Sequence, residues 1–193
     1  MTGIDPTPDE GRGSVIPGVR LGRVTRHADD RGSFREIWRA SWYAAGDETA
    51  GLAPFSQANV SESAPGVLRG LHAHRRQLDH WVILEGSGTA ALVDLRPLLA
   101  GAARPTVEVF DVTADDRLSI PSGVAHGFLA TTRLVLAYVV TQEYDGSDEL
   151  GFAWDDPLAA VPWPPAPTPD GRPILSDRDR TNPPLLELLE RFR

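Results

Sequence analysis

Three of the chain's five histidines fall within fourteen residues, "VLRGLHAHRRQLDH", running from Val67 to His80. An imidazole can take or give a proton near neutral pH, or offer a lone pair to a metal. His72 and His74 are two residues apart, so on a strand they share a face. If that face looks into a barrel, both enter one pocket. Further along, "PSGVAH" places Pro121 and Gly123 ahead of His126. A tight turn there would return His126 to the same interior. Residue types alone leave three readings open: a metal clamp, a catalytic base with a helper, or polar side chains on an ordinary strand. His27 stands alone ahead of "ADDRG" and is assigned no role.

The surrounding text supplies strands to carry these groups. From Val15 to about Ala153 short apolar runs alternate with turn residues. "WVILEGSGTAALVDL" reads as a hairpin around Gly86–Ser87–Gly88. "VEVFDVT" alternates with period two, as a half-buried strand does. "RLSIPSGVAHGFLAT" reads as strand, turn, strand, and "LVLAYVVTQEY" as a central strand. So many strands with so little helical spacing predict a sandwich or barrel. Beyond residue 153 the proline-rich "WDDPLAAVPWPPAPTPDGRP" predicts an extended arm over the surface, because proline cannot donate to a ladder. "TNPPLLELLERF" predicts a short amphipathic helix, with Asn182 as N-cap and Pro183 at its first position. Residues 1–14 are expected to form a flexible tail and 15–193 a single domain.

Bulk properties narrow the class. The 193 residues are 41% hydrophobic, enough for one substantial core. The net charge of -8 opposes nucleic acid as a partner. The absence of cysteine excludes disulfide and thiolate chemistry. No apolar run is long enough to span a bilayer, and no signal core opens the chain, so a cytoplasmic protein with no membrane partner is expected.

The two histidine motifs resemble the signature motifs of the cupin β-barrels, with Asp79 where glutamate is usual and Ala130 where asparagine follows. The resemblance implies an all-β fold, the cupin double-stranded β-helix (jelly-roll barrel), with a short C-terminal helix. It also implies a ligand set for one divalent ion: His72, His74, Asp79 and His126. Three imidazoles and a carboxylate suit zinc, iron, nickel or manganese. The favoured expectation is no cofactor, with one divalent metal ion as the alternative.

A closer resemblance covers residues 29–185. "DDRGSFREIW", "FSQANVSESAPGVLRGLH", "VDLR", "IPSGVAHGF", "AYVVTQEY", "ELGFAWDDP", "VPWP" and "ILSDRD" occur in order, as in the dTDP-4-dehydrorhamnose 3,5-epimerase family. That resemblance implies a dTDP-linked 4-keto-6-deoxyhexose as substrate. Its C3 and C5 protons are acidic because both lie alpha to the C4 ketone. A base removes one, an enolate forms, and an acid returns a proton to the other face. By resemblance His72 is the base, Asp179 orients its imidazole, and Tyr138 is the opposing acid. Arg69 and Arg31 would hold the diphosphate, since guanidinium forks suit phosphate oxygens. Phe34, Glu36 and Tyr144 would bracket the thymine or its sugar. Gln57 and Asn59 would hydrogen-bond sugar hydroxyls, with His74 and His126 beside them. The segment holding Arg31 reaches into a neighbouring subunit in this family, implying a homodimer.

The chain departs from that pattern in one region. The family's enolate-stabilising lysine aligns at or beside Asp79 and His80, its companion aspartate falls near Ala90, and the usual glutamine is His74. An ionised Asp79 would repel an enolate, so another group must supply positive charge: Arg69, a protonated His74 or His80, or a metal ion. A metal on His72 would occupy the base, so the four-residue ion site and the epimerase base compete. "RGLHAHRR" also resembles the dTDP-sugar 3,4-ketoisomerases, in which both histidines shuttle protons. The expected function is epimerisation at C3, C5 or both. The alternatives are a 3,4-ketoisomerase, another metal-dependent cupin enzyme, or a silent member that binds a sugar nucleotide.

Overall fold

The structure is a computed structural model and describes residues 13–39, 42, 55–144 and 146–192. All of the expected tail except residues 13 and 14 lies outside that range. Those two are docked: Ser14 Oγ donates to Glu108 Oε2 at 2.5 Å, and Gly13 bridges Arg20. Among the described residues there is no helix long and apolar enough to cross a membrane.

Two five-stranded antiparallel sheets build the body. The first runs β1 (Arg20–Arg23), β9 (Asp116–Ile120), β6 (Asp79–Glu85), β11 (Leu134–Val140), β4 (Gln57–Ser63). The second runs β12 (Leu150–Gly151), β5 (Leu68–Ala73), β10 (Val124–Ala130), β7 (Ser87–Asp94), β8 (Thr106–Thr113). A separate hairpin pairs β2 (Arg26–Asp29) with β3 (Gly32–Arg35). The short-strand pattern predicts a sandwich or barrel, and this two-sheet body is the jelly roll that the resemblance implies.

Strand periodicity sorts side chains between two cores. On β7, Ala90 and Leu92 join the core between the sheets, with Trp81, Ile83, Phe110, Leu118 and Phe128. Ala91 and Val93 face the other way, into a second core. Burial on both faces explains the unbroken apolar text of this strand. The second core is closed by Leu150, Phe152 and the apolar side of α3 (Leu185–Phe192), whose Leu185, Leu188 and Leu189 are buried. Each such leucine contributes on the order of 2 kcal/mol by leaving water. The proline-rich segment runs without strands, as its composition predicts, and docks Ala166 against Leu68 and Leu129.

Two expectations are corrected. The runs around Gly86 form no hairpin: β6 pairs with β9 and β11, and β7 with β8 and β10, so the chain crosses between sheets. Gly86 makes that corner at φ +83°, where an added Cβ would lie 1.9 Å from Arg133 O. Nor does Asn182 cap the final helix, which begins at Leu185. The Leu185 N–H donates instead to Asp156 Oδ2 at 2.9 Å, a cap delivered from 29 residues away. A distant carboxylate satisfies this open helix-end amide, and sequence spacing cannot reveal it.

Candidate active site

On β5, Leu71 and Ala73 belong to the outer core, so His72 between them faces inward. Its direct partner on β10 is His126. The arm places a carboxylate beside it. Ile174 pairs with the start of β5, its N–H donating to Gly66 O at 2.8 Å while the Leu68 N–H donates to Ile174 O at 3.0 Å. The chain then turns into α2 (Asp177–Arg180). Ser176 caps α2, its Oγ accepting from the Asp179 N–H at 3.1 Å. Asp179 Oδ1 lies 2.6 Å from His72 Nε2. With Nε2–H donating to Asp179, the imidazole lone pair sits on Nδ1. Burial alone would raise the Asp179 carboxyl. The hydrogen bond and charge of His72, with Ser176 and Arg178, outweigh it and hold the group below the ordinary carboxylate value.

Tyr138 stands on the facing sheet, its register partners Asn59 on β4 and Trp81 on β6. Burial pushes its phenol above the usual value, and the negative charges of Asp79 and Glu149 add to this against the opposing Arg69. His72 and Tyr138 line one cavity of about 510 Å³. Gln57, Asn59 and Ser61 alternate along β4 into the same space. Gln57 Nε2 donates to Asn59 Oδ1 at 2.8 Å, and its Oε1 accepts from the Tyr144 N–H at 2.9 Å. Arg69 lines the cavity and is braced by Ser63 Oγ at 2.9 Å and Glu62 O at 3.0 Å.

The cavity floor holds His74, Asp79 and His126, all buried. His74 Nδ1–H donates to Asp148 O at 2.9 Å, and His126 Nδ1–H to Val124 O at 3.1 Å. Burial, more than any other cause, lowers His126 to about 4, so this imidazole is neutral at physiological pH. His72 is not part of this group, since its inward neighbour is Asp179. The four-residue ligand set therefore divides into a His72–Asp179 pair and a three-residue floor. His80 faces neither cavity nor solvent: it is fully buried, and its Nε2–H donates to Ile37 O at 2.9 Å. It cannot supply charge to an enolate in the cavity, which removes that expectation.

The binding residues divide too. Gln57, Asn59, Arg69, His74, His126 and Tyr144 line the cavity. Arg31, Phe34 and Glu36 do not reach it within their own chain. Arg31 pairs with Asp29 at 2.5 Å in the β2–β3 turn, Glu36 pairs with Arg39, and Phe34 is 59% exposed. Sequence reasoning passed over Gln77, Trp81, Glu149 and Arg178, which also line the cavity. Gln77 lies two residues before Asp79 and Arg178 next to Asp179, and that adjacency is the signal that marks them. Glu149 opens the matched stretch "ELGFAWDDP", which marks it in the same way.

Comparison with known proteins follows this geometry. The family model described as dTDP-4-dehydrorhamnose 3,5-epimerase matches residues 14–187. A spore coat polysaccharide biosynthesis protein of Bacillus subtilis (strain 168) is 35% identical over 155 residues, covering 77% of this chain and 97% of its own. A dTDP-4-dehydrorhamnose 3,5-epimerase of Streptomyces griseus is 33% identical over 186 residues, covering 91% and 86%. Among solved structures, a 3'-monoepimerase of Streptomyces bikiniensis in complex with dTDP-quinovose superposes with a TM-score of 0.74 at 28% identity, covering 92% of this chain and 88% of its own.

Proposed function

This chain belongs to the dTDP-4-dehydrorhamnose 3,5-epimerase family, and we propose that it works as an isomerase in which His72 and Tyr138 invert a carbon of a dTDP-linked 4-keto-6-deoxyhexose. The observation that carries this reading is the 2.6 Å pairing of His72 with Asp179, across the cavity from a phenol on the opposite sheet. His72 Nδ1 takes the proton from C3 or C5, and the C–H electron pair moves into the ring as an enolate on the C4 oxygen. Asp179 stabilises the imidazolium that results. The Tyr138 hydroxyl then gives its proton to the other face of the same carbon, and the C4 ketone re-forms. The imidazolium then releases its proton to solvent and the phenolate takes one back, which resets the site. A phenol kept protonated by burial suits the acid role.

Arg69 supports the diphosphate reading, with Gln57 and Asn59 toward the sugar hydroxyls. A homodimer belongs to the same proposal, because the β2–β3 hairpin holds Arg31 and the exposed Phe34 away from its own cavity, where a partner's cavity can receive them. The cytoplasm, where nucleotide-linked sugars are made, is the compartment this substrate implies. His74 weighs against the ketoisomerase alternative: its ring is held at the cavity floor, with Nδ1–H bonded to Asp148 O and Nε2 3.2 Å from the Gln77 amide.

Incubation with dTDP-4-keto-6-deoxyglucose in deuterated water, followed by NMR, tests the proposal. Deuterium at C3, C5 or both, with inversion, is expected, and the label names the carbon. Absence of label at both positions would remove the epimerase reading.

A further inference from the structure

We propose that His74, Asp79 and His126 form a binding site for one divalent transition-metal ion at the cavity floor, separate from the His72–Asp179 pair. Their candidate ligand atoms all lie within 4.8 Å of one another, and the three residues are 8%, 4% and 5% exposed. Both histidines are held alike. A backbone carbonyl accepts from each Nδ1–H, of Asp148 for His74 and of Val124 for His126, and this fixes ring and tautomer with the lone pair on Nε2. Metal-ligating histidines are characteristically oriented in this way.

The two Nε2 atoms face opposite oxygens of one carboxylate, His74 to Oδ1 at 3.9 Å and His126 to Oδ2 at 3.6 Å. These distances exceed a hydrogen bond. Lone pairs converging on a carboxylate in a buried place call for positive charge between them. The carboxylate is itself held in place: Trp81 Nε1–H donates to Oδ2 at 3.3 Å and Gln77 Nε2–H to Oδ1 at 2.7 Å. The Gln77 amide also lies 3.2 Å from His74 Nε2, so a partial positive charge already stands at the edge of the gap. Gln77 is partly exposed, on the turn between β5 and β6, and rotation of its amide presents the carbonyl oxygen as a further ligand. Two imidazoles and one carboxylate suit zinc, iron(II), manganese or nickel.

Because His72 stands outside the set, a bound ion leaves the base free. On the epimerase reading, an ion held here would supply positive charge to an enolate in the cavity, the part that the resemblance gives to a lysine at or beside Asp79 and His80.

The test uses the metal alone. Whole protein stripped with EDTA is titrated with Co(II), read by calorimetry and by visible absorption. One Co(II) per chain is expected. His74→Gln, Asp79→Asn and His126→Asn should each weaken binding at least about 100-fold, the upper end of what even supporting residues cost. His72→Asn should leave it unchanged. Thermal melts by circular dichroism check that each variant folds, and His74→Gln, which swaps one neutral polar side chain for another, serves if Asp79→Asn does not. No binding by folded protein at millimolar Co(II) overturns the proposal. So does a loss in His72→Asn that matches the loss in Asp79→Asn. Co(II) binding without deuterium exchange keeps this site and removes the epimerase reading; exchange without binding does the reverse.

Discussion

His72 and His126 are direct partners in the β5–β10 ladder, yet their imidazoles serve different carboxylates: His72 lies 2.6 Å from Asp179, and His126 faces Asp79 at 3.6 Å. One rung of the sheet thus carries two sites. The arm delivers Asp179 on one side, and β6 delivers Asp79 on the other.

The first pair predicts a graded loss. His72→Asn removes the base and should lower solvent exchange at least about 10³-fold, within the range for a positioned acid or base. Asp179→Asn keeps the shape but loses the stabilised imidazolium, and should cost about 10²- to 10⁴-fold in kcat with little change in KM. If Asp179→Asn falls by less than tenfold, the pairing is structural only.

Tyr138→Phe should separate proton removal from inversion. Deuterium still enters with retained configuration, while the epimeric product falls about 10²-fold or more. The acid must carry its proton, and its value is raised above the ordinary 10. Activity should therefore show no alkaline limb from this group until pH passes 10. A limb below pH 9 that disappears in Tyr138→Phe would contradict the assignment.

Asp156 ties the arm to the final helix. It accepts from the N–H groups of Leu158 at 2.8 Å, Ala159 at 3.3 Å and Leu185 at 2.9 Å, and it is buried. Asp156→Ala leaves three amides without that acceptor and should cost about 2–4 kcal/mol. Urea unfolding should show a lower midpoint with an unchanged slope.

Acid should weaken the β8–β9 turn. Burial would raise the Asp115 carboxyl, but hydrogen bonds and charge from Arg26 and Arg35 hold it below its ordinary value. A lowered carboxyl contributes stability above its unfolded value, near 3.9, and loses it as pH falls through the folded value. Asp115→Asn suits the backbone, since φ is 75° and asparagine tolerates it. That variant should be less stable at pH 7 and show a shallower fall between pH 5 and 3. An unaltered acid profile would mean these pairs contribute nothing.

Much of the fold was legible because strand periodicity is local. "VEVFDVT" fell in β8, "LVLAYVVTQEY" became β11 as far as Val140, and "PSGVAH" turned as expected. The Gly86 corner was misread because a hairpin and a crossing between sheets use the same residue types. Only the partners of β6 and β7 distinguish them. The site was legible as a set of residues, and the resemblance paired His72 with Asp179, but it also set His72 among the ion ligands with His74, Asp79 and His126. His72, His74 and His126 all line the cavity, but which nitrogen meets which oxygen was not written in their spacing.

By itself, the sequence determined a β-rich chain with His72 and His74 on one strand face, a proline-bearing arm, and motifs specific enough to name a family. These follow from neighbours a few residues apart, where side-chain alternation and turn chemistry act. The tertiary structure alone decided that Asp179 Oδ1 meets Nε2 of His72 at 2.6 Å; that Asp79 gathers His74 and His126 without His72; and that Arg31, Phe34 and Glu36 stand off their own cavity. Imidazole and carboxylate chemistry depends on distances of a few ångströms, and those are set by packing two sheets and an arm together.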